Sequence, residues 1–471
     1  MLKEQIASYM ESHRQQMIDD ISALVRIQSD RGEPAPGAPF GKGPAAALEK
    51  AMEICAGKGF AVQNWDGYVC TADMNDKAPQ LDILAHLDVV PVSDGWTVTA
   101  PFEPKLVGNK LYGRGTADDK GPAVAALYAM MAVKELGIPL AYNCRLILGT
   151  DEECGSSDIH YYYQKQPEAP CTFSPDAEFP CINIEKGSIR GFYHASYPES
   201  SELPRIVSVT AGTKINVVPN RAQAVVEGFG MDVLQTVAGK VTEDTGVSFA
   251  FEGENTVTIH AQGQDGHAAM PEKGNNAITA LLTLLTALPA AKSEGFEKLC
   301  AFQKLYPHGD WSGLAAGIAM EDAESGALTC SLDIFNLTTT GFEAQTDCRC
   351  PICSTDENVT AVLKAGAEAI GLTLDESCKL NAPHYVPADS PFIQTLLSAY
   401  EKYTGQKGKP LAIGGGTYTH HLKNGVAFGC EFPGSEDNHM HGNDEFVNID
   451  ELVLSAQIFA QVIVDLCAEK D

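Results

Sequence analysis

A chain of 471 residues is too long for one ordinary compact core and suggests two or three domains, while 44% hydrophobic and 20% charged residues argue against disorder. Its formal net charge of −29 argues against a nucleic-acid partner or an anionic membrane, since both would be repelled. No apolar run approaches the ~20 residues needed to cross a bilayer.

The opening stretch "MLKEQIASYMESHRQQMIDDISALVRIQS" has helical spacing of apolar residues and lacks the continuous apolar run of a signal peptide. Together with 14 scattered cysteines, read as reduced thiols, it points to the cytoplasm. A second helix is expected around "GPAAALEKAMEICAGKGF", then a strand in "LDILAHLDVV", residues 81 to 90. That run carries His86 and Asp88, which period-two geometry would place on one face of the strand. A core histidine satisfied by a neighbouring aspartate is an equal reading of these ten residues alone. A helix in "DDKGPAVAALYAMMAVKELG", with Pro122 in its first turn and Gly137 at its end, leads into a buried strand, "RLILGTDEE".

From about residue 187 the pattern changes to strands such as "IVSVTAG" and "NTVTIHAQG" around a helix in "MDVLQTVAGKVTEDTG", which reads as an inserted α+β domain. "CRCPIC", with Cys348, Cys350 and Cys353, lacks a fourth ligand at ribbon spacing and so makes a poor zinc site. Near residue 380 the α/β character returns with a helix in "SPFIQTLLSAYEKYTG", the loop "IGGGTYTHH" and a last helix in "NIDELVLSAQIFAQVIVDLC". The glycine run 414–416 lacks the order of a phosphate loop. The expected fold is therefore α/β: a catalytic domain with a central mixed sheet flanked by helices, from residues 1–186 and 381–471, and an inserted α+β lid, enlarged and two-part, from 187–380.

Histidines and carboxylates recur in the loops that follow strands: His86 and Asp88, Asp118 in "GRGTADDKG", Glu152 and Glu153 in "TDEECGS", Asp176 in "SPDAEFP" and His441 in "HMHGNDEF". In an open α/β sheet such positions converge on one crevice. Two histidines with several carboxylates suit two divalent ions with one bridging carboxylate.

At these motifs, together with "NVVPNRA" and "GHAAMPEKGNNAI", the sequence resembles the co-catalytic metallopeptidases of the zinc-exopeptidase-like fold. These include aminoacylases, succinyl-diaminopimelate desuccinylase and bacterial dipeptidases of the PepV and Sapep type. The resemblance spans nearly the whole chain. It implies that His86 and Asp176 hold different metals, zinc or manganese, that Asp118 bridges them, and that Glu153 and His441 complete the two sets. His439 lies two residues before His441, which is preferred because the family pattern His-x-x-Asp/Asn-Glu matches His441, Asp444 and Glu445. The resemblance makes Glu152 the general base and implies a cis peptide between Asp118 and Asp119. Asp88 would accept the second ring proton of His86. In the lid, His267 matches the histidine that reaches the oxyanion once the lid closes, and Asn216 and Arg349 match residues placed near the substrate. Gly415, Gly416 and Thr417 correspond to the loop that meets the substrate carboxylate.

The enlarged lid lets one chain supply both halves of the site, so the expectation is a monomeric dipeptidase with small peptide substrates. The alternative is an N-acyl amino acid amidase of the same fold. A metal-binding protein without activity is a third reading, which the presence of Glu152 disfavours.

Overall fold

A computed structural model describes residues 2–469, which form two compact units. The first comprises the chain up to Ile184, Tyr385–Leu411 and the residues from Gly416 onward; the second comprises Glu185–His384 and Ala412–Gly415. The boundaries lie within four residues of those expected, but the short segment Ala412–Gly415, expected with the outer domain, groups with the inserted one.

The first unit is built on a mixed sheet. Seven of its nine strands run in the order Ala61–Trp65, Val69–Asp73, Asn143–Gly149, Pro79–His86, Cys171–Ser174, Gly425–Ala427 and Ile182–Glu185, and the short His384–Tyr385 and Leu411–Ile413 complete the sheet beyond the last. The four from Asn143–Gly149 to Gly425–Ala427 are mutually parallel, and their neighbours on both sides are antiparallel. In Pro79–His86 the side chains alternate as period two requires. Leu81, Ile83 and Ala85 join the main core, whereas Leu84 joins a smaller cluster with Val69, Ile147, Tyr162 and Tyr418. Asp82, on the same alternate set as Leu84 and His86, makes a buried two-bond pair with Arg145 at 2.9 and 2.7 Å.

The main core lies under helices Lys120–Glu135 and Ile449–Cys467, which pack on each other. Lys120–Glu135 is buried on all sides from Lys120 to Val133, consistent with its run of alanines and branched residues and its lack of a polar face. Asn448 caps the last helix by accepting from the amides of Asp450 and Glu451. The single helix expected before Ile27 is two, Leu2–Ser12 and Arg14–Val25, broken at His13.

The second unit carries one eight-stranded antiparallel sheet with helices Met231–Thr245, Ala277–Ala287, Glu294–Leu305 and Ala361–Ala369. Two four-stranded halves join through only three residue pairs, Val209 with Leu337, Asn336 with Thr210 and Ala211 with Phe335. Alternating burial along Arg221–Glu227 and Gly187–Ser196 shows a sheet with one packed and one solvated face. Asp333 sits where the register between Thr329–Thr338 and Gly341–Cys350 shifts, an added residue in the ladder.

Candidate metal centre

Three neighbouring parallel strands open at one edge of the first sheet, and the loops beyond them carry the expected ligands. His86 is the last residue of Pro79–His86, Glu153 lies in the turn Glu152–Cys154 after Asn143–Gly149, and Asp176 follows Cys171–Ser174. Asp118 precedes helix Lys120–Glu135, and His441 lies in the loop before Phe446–Asn448.

Their side chains form two overlapping sets, Asp118 with Glu153 and His441, and His86 with Asp118 and Asp176. His86 and Asp176 share one set instead of serving different metals as expected, because the strands that lead to them are neighbours and bring both side chains to the same side of Asp118. His86 Nε2 lies 2.9 Å from Asp118 Oδ1 and 3.4 Å from Asp176 Oδ2, while His441 Nε2 lies 2.9 Å from Asp118 Oδ2 and 3.2 Å from Glu153 Oε1. The two Asp118 oxygens thus face different sets. His86 Nε2, Asp118 Oδ1 and Glu153 Oε1 are buried without a hydrogen bond, although other polar atoms lie close. Buried polar atoms rarely go unsatisfied, and a nitrogen with carboxylate oxygens around a common point fits a divalent cation in each set.

The charges tell the same story. Burial raises the Asp118 carboxyl, but His441 and then His86 pull it well below the usual range. Asp118 and Glu153 push His441 up to about 10 against the effect of burial. Burial lowers His86, yet Asp118, Asp176 and Asp88 outweigh it and raise the ring above its ordinary value. Protons therefore compete with cations for both imidazoles.

The surroundings of His86 also differ from expectation. Asp88 lies beyond the strand end, and its backbone carbonyl, 3.0 Å from His86 Nδ1, takes the ring proton expected to go to its carboxylate. The carboxylate is 3.5 Å from that nitrogen and instead accepts from the amides of Glu152 and Glu153 at 3.2 and 3.1 Å. Two adjacent amides at a turn offer a better pair of donors than one ring nitrogen. Asp88 therefore fixes both the ring and the turn bearing Glu152. Burial, with Asp176, Glu153 and Asp118, raises the Glu152 carboxyl well above its ordinary value against the pull of His86.

Several residues support the ligands: Asp119, with its cis bond, and Glu445 fall in motifs the sequence marks, whereas Arg114, Asp158 and Tyr418 carry no local signal. Asp119 Oδ2 accepts from the His86 amide at 2.9 Å, and the peptide bond between Asp118 and Asp119 is cis. Glu445 accepts from Arg114 at 2.5 Å and from the amides of Gly115 and Ala117, while Arg114 also reaches the Gly442 carbonyl at 2.9 Å. This buried pair ties the Asp118 loop to the His441 loop. Asp158 accepts from Tyr418 and from the amides of Thr150 and Asp151, just before Glu152. His439 is exposed, with its ring near the Asn443 carbonyl, and belongs to neither ligand set.

His267, Asn216 and Arg349 lie in the second unit. His267 pairs with Val217, the Ala268 amide donates to Asn216, and the Ala269 amide donates to His267 Nδ1 at 3.0 Å. An accepting Nδ1 places the hydrogen of the neutral ring on Nε2. Arg349 donates to Asp347 through Nε and Nη2 at 2.8 and 2.9 Å and to the Gly414 carbonyl through Nη1 at 2.6 Å. The chain passes from the second unit to the first between Gly415 and Gly416, so Thr417 belongs with the metal-bearing unit. Cys348 and Cys350 are buried on a strand and Cys353 is exposed; among the described residues none joins a metal-ligating group.

An open α/β sheet with imidazoles and carboxylates at its strand ends, two sets sharing one aspartate, defines a metal-dependent hydrolase. The family model "Peptidase family M20/M25/M40" matches residues 83–465. The chain is 31% identical to the Beta-Ala-Xaa dipeptidase of Lactobacillus delbrueckii subsp. lactis, over 98% of each sequence. It is 33% identical to YtjP of Bacillus subtilis (strain 168), which is named as a dipeptidase, over 96% of this chain and 97% of the other. Human carnosine dipeptidase 1 shares the fold, with a TM-score of 0.60 at 16% identity over 99% of both chains. The chain belongs to peptidase family M20/M25/M40.

Proposed function

We propose that the chain is a dipeptidase that hydrolyses the peptide bond of short, unblocked peptides with two divalent ions, zinc or manganese. The observation that carries this reading is the pair of ligand sets sharing Asp118, in a chain aligned end to end with a Beta-Ala-Xaa dipeptidase. His86, Asp118 and Asp176 would hold one ion, and Asp118, Glu153 and His441 the other. Bound there, such ions polarise a substrate carbonyl and make water more acidic.

Glu152 then acts as general base. Its backbone is fixed through Asp88, and its raised carboxyl suits it both to take a proton and to deliver it to the leaving amine. His267, with Nε2 carrying hydrogen, donates to the oxygen on which charge develops. Arg349 receives the C-terminal carboxylate of the substrate through N–H groups left over from its internal bonds. Asn216, Gly415, Gly416 and Thr417 line the same substrate, and a monomer suffices on this reading.

The test is a hydrolysis panel of a β-alanyl dipeptide, α-dipeptides, tripeptides and N-acyl amino acids, run with zinc and with manganese. Dipeptides should be cleaved fastest. Preference for N-acyl amino acids would replace this reading with an amidase of the same fold.

A further inference from the structure

Arg349 does not stand alone in the second unit. Two residues apart on a strand share a face, so Asp347 lies beside it and takes Nε–H and Nη2–H in a side-on fork, while the Gly414 carbonyl takes one hydrogen of Nη1. A guanidinium has five N–H groups, and these three bonds leave one on each terminal nitrogen. Asp347 is fully buried and Arg349 is 14% exposed, so the carboxylate is shielded behind the guanidinium.

A second buried carboxyl stands behind this pair. Asp333, at the register shift of the neighbouring strand, accepts from Ser331, which pairs directly with Asp347, and its Oδ2 has no partner. Burial pushes the Asp333 carboxyl up to about 8, with Asp347 adding to the rise against Ser331 and Arg349. Near neutral pH Asp333 keeps its proton, and Asp347 is the counter-ion of Arg349. Gly414 is also held close, since a Cβ there would meet Ala269 Cβ at 3.0 Å.

We infer that Asp347 is a positioning residue for substrate recognition: it fixes the guanidinium plane so that the two remaining N–H groups of Arg349 meet the C-terminal carboxylate of a dipeptide. The inference rests on the reading that Arg349 receives that carboxylate. An unforked arginine, with its long flexible side chain, would have to be ordered by each substrate, whereas a forked one is ordered in advance.

The experiment compares a dipeptide with its C-terminal amide on the metal-loaded enzyme. Asp347→Asn should raise KM for the free dipeptide by roughly tenfold or more, as expected for charge-assisted bonds, with kcat little changed. KM for the amide should not move, which separates recognition from general damage. Arg349→Lys keeps the charge but cannot make the fork, so it should raise KM for the free dipeptide in the same way, and it serves if Asp347→Asn fails to fold. In the double variant Asp347→Asn with Arg349→Met, KM should equal that of Arg349→Met alone, because Asp347 acts through Arg349. Equal losses on dipeptide and amide, or no loss on either, would overturn the inference. If Arg349→Met itself leaves KM for the free dipeptide unchanged, the underlying assignment of Arg349 fails; if it raises KM while Asp347→Asn and Arg349→Lys do not, only the positioning role fails.

Discussion

Around Asp118 in the first unit, carboxyl groups of Asp119, Asp176, Glu152 and Glu153 crowd two imidazoles, and several ligand atoms have no hydrogen bond. Around Arg349 in the second unit, one guanidinium, one charged carboxylate and one carboxyl that keeps its proton sum to neutrality, and the guanidinium is bonded on three sides. The first cluster is completed by cations. The second is complete without them, so it is organised before any ligand arrives. Removing metal should therefore disturb the first cluster and leave the second in place.

The largest effect is expected at the shared ligand. Asp118→Asn removes a charge common to both sets, so metal analysis should show loss of both ions, and hydrolysis should fall beyond the 10²–10⁴-fold typical of losing one proton-transfer group. Retention of both ions with high activity would mean that the first cluster does not depend on a shared Asp118 carboxylate. Glu152→Ala removes a proton carrier and no ligand. It should keep both ions and lose roughly 10²–10⁴-fold in kcat. A variant that turns over normally would remove Glu152 from the reaction.

His267→Ala tests the second unit in the same currency. Loss of a donor used chiefly in the transition state should lower kcat by roughly 10²–10³-fold, with metal content unchanged and ground-state binding changed much less. Unchanged kcat would sink that role.

The histidines and carboxylates at the strand ends stand out in the sequence for a physical reason, whereas the roles of Glu152 and His267 come only from the family resemblance. Metal ligands are side chains of a few chemical types at strand ends, and the period of a buried strand such as "LDILAHLDVV" locates the end. The partners of the supporting residues were not legible. Arg114 meets Glu445 across 331 residues and Tyr418 meets Asp158 across 260, and no local period links such partners. Asp88 shows the limit within a motif. Its presence was readable, but which of its oxygens faces His86 depends on where the strand stops and on two amides in a turn more than sixty residues away. Asp333 was invisible because alternation assigns a strand residue to one face and cannot announce a register shift.

The smallest expected effect concerns that last residue and the claim that the second cluster is neutral. An aspartate in the unfolded chain titrates near 3.9, whereas the folded Asp333 carboxyl is pushed up to about 8. Between these values the folded state holds a proton that the unfolded state has released. The stability this provides is fully present below about pH 4 and is lost as pH rises through about 8. Asp333→Asn keeps the shape and has no proton to lose, so the variant should gain on the parent as pH goes from 5 to 8. One pH unit corresponds to about 1.4 kcal/mol, which bounds the gain at about 4 kcal/mol. Thermal melts of parent and variant with metals removed, run side by side at each pH, report the difference without requiring the whole chain to unfold in two states. Parallel curves would mean that Asp333 is ionised in the folded protein, and the cluster behind Arg349 would then carry a net negative charge.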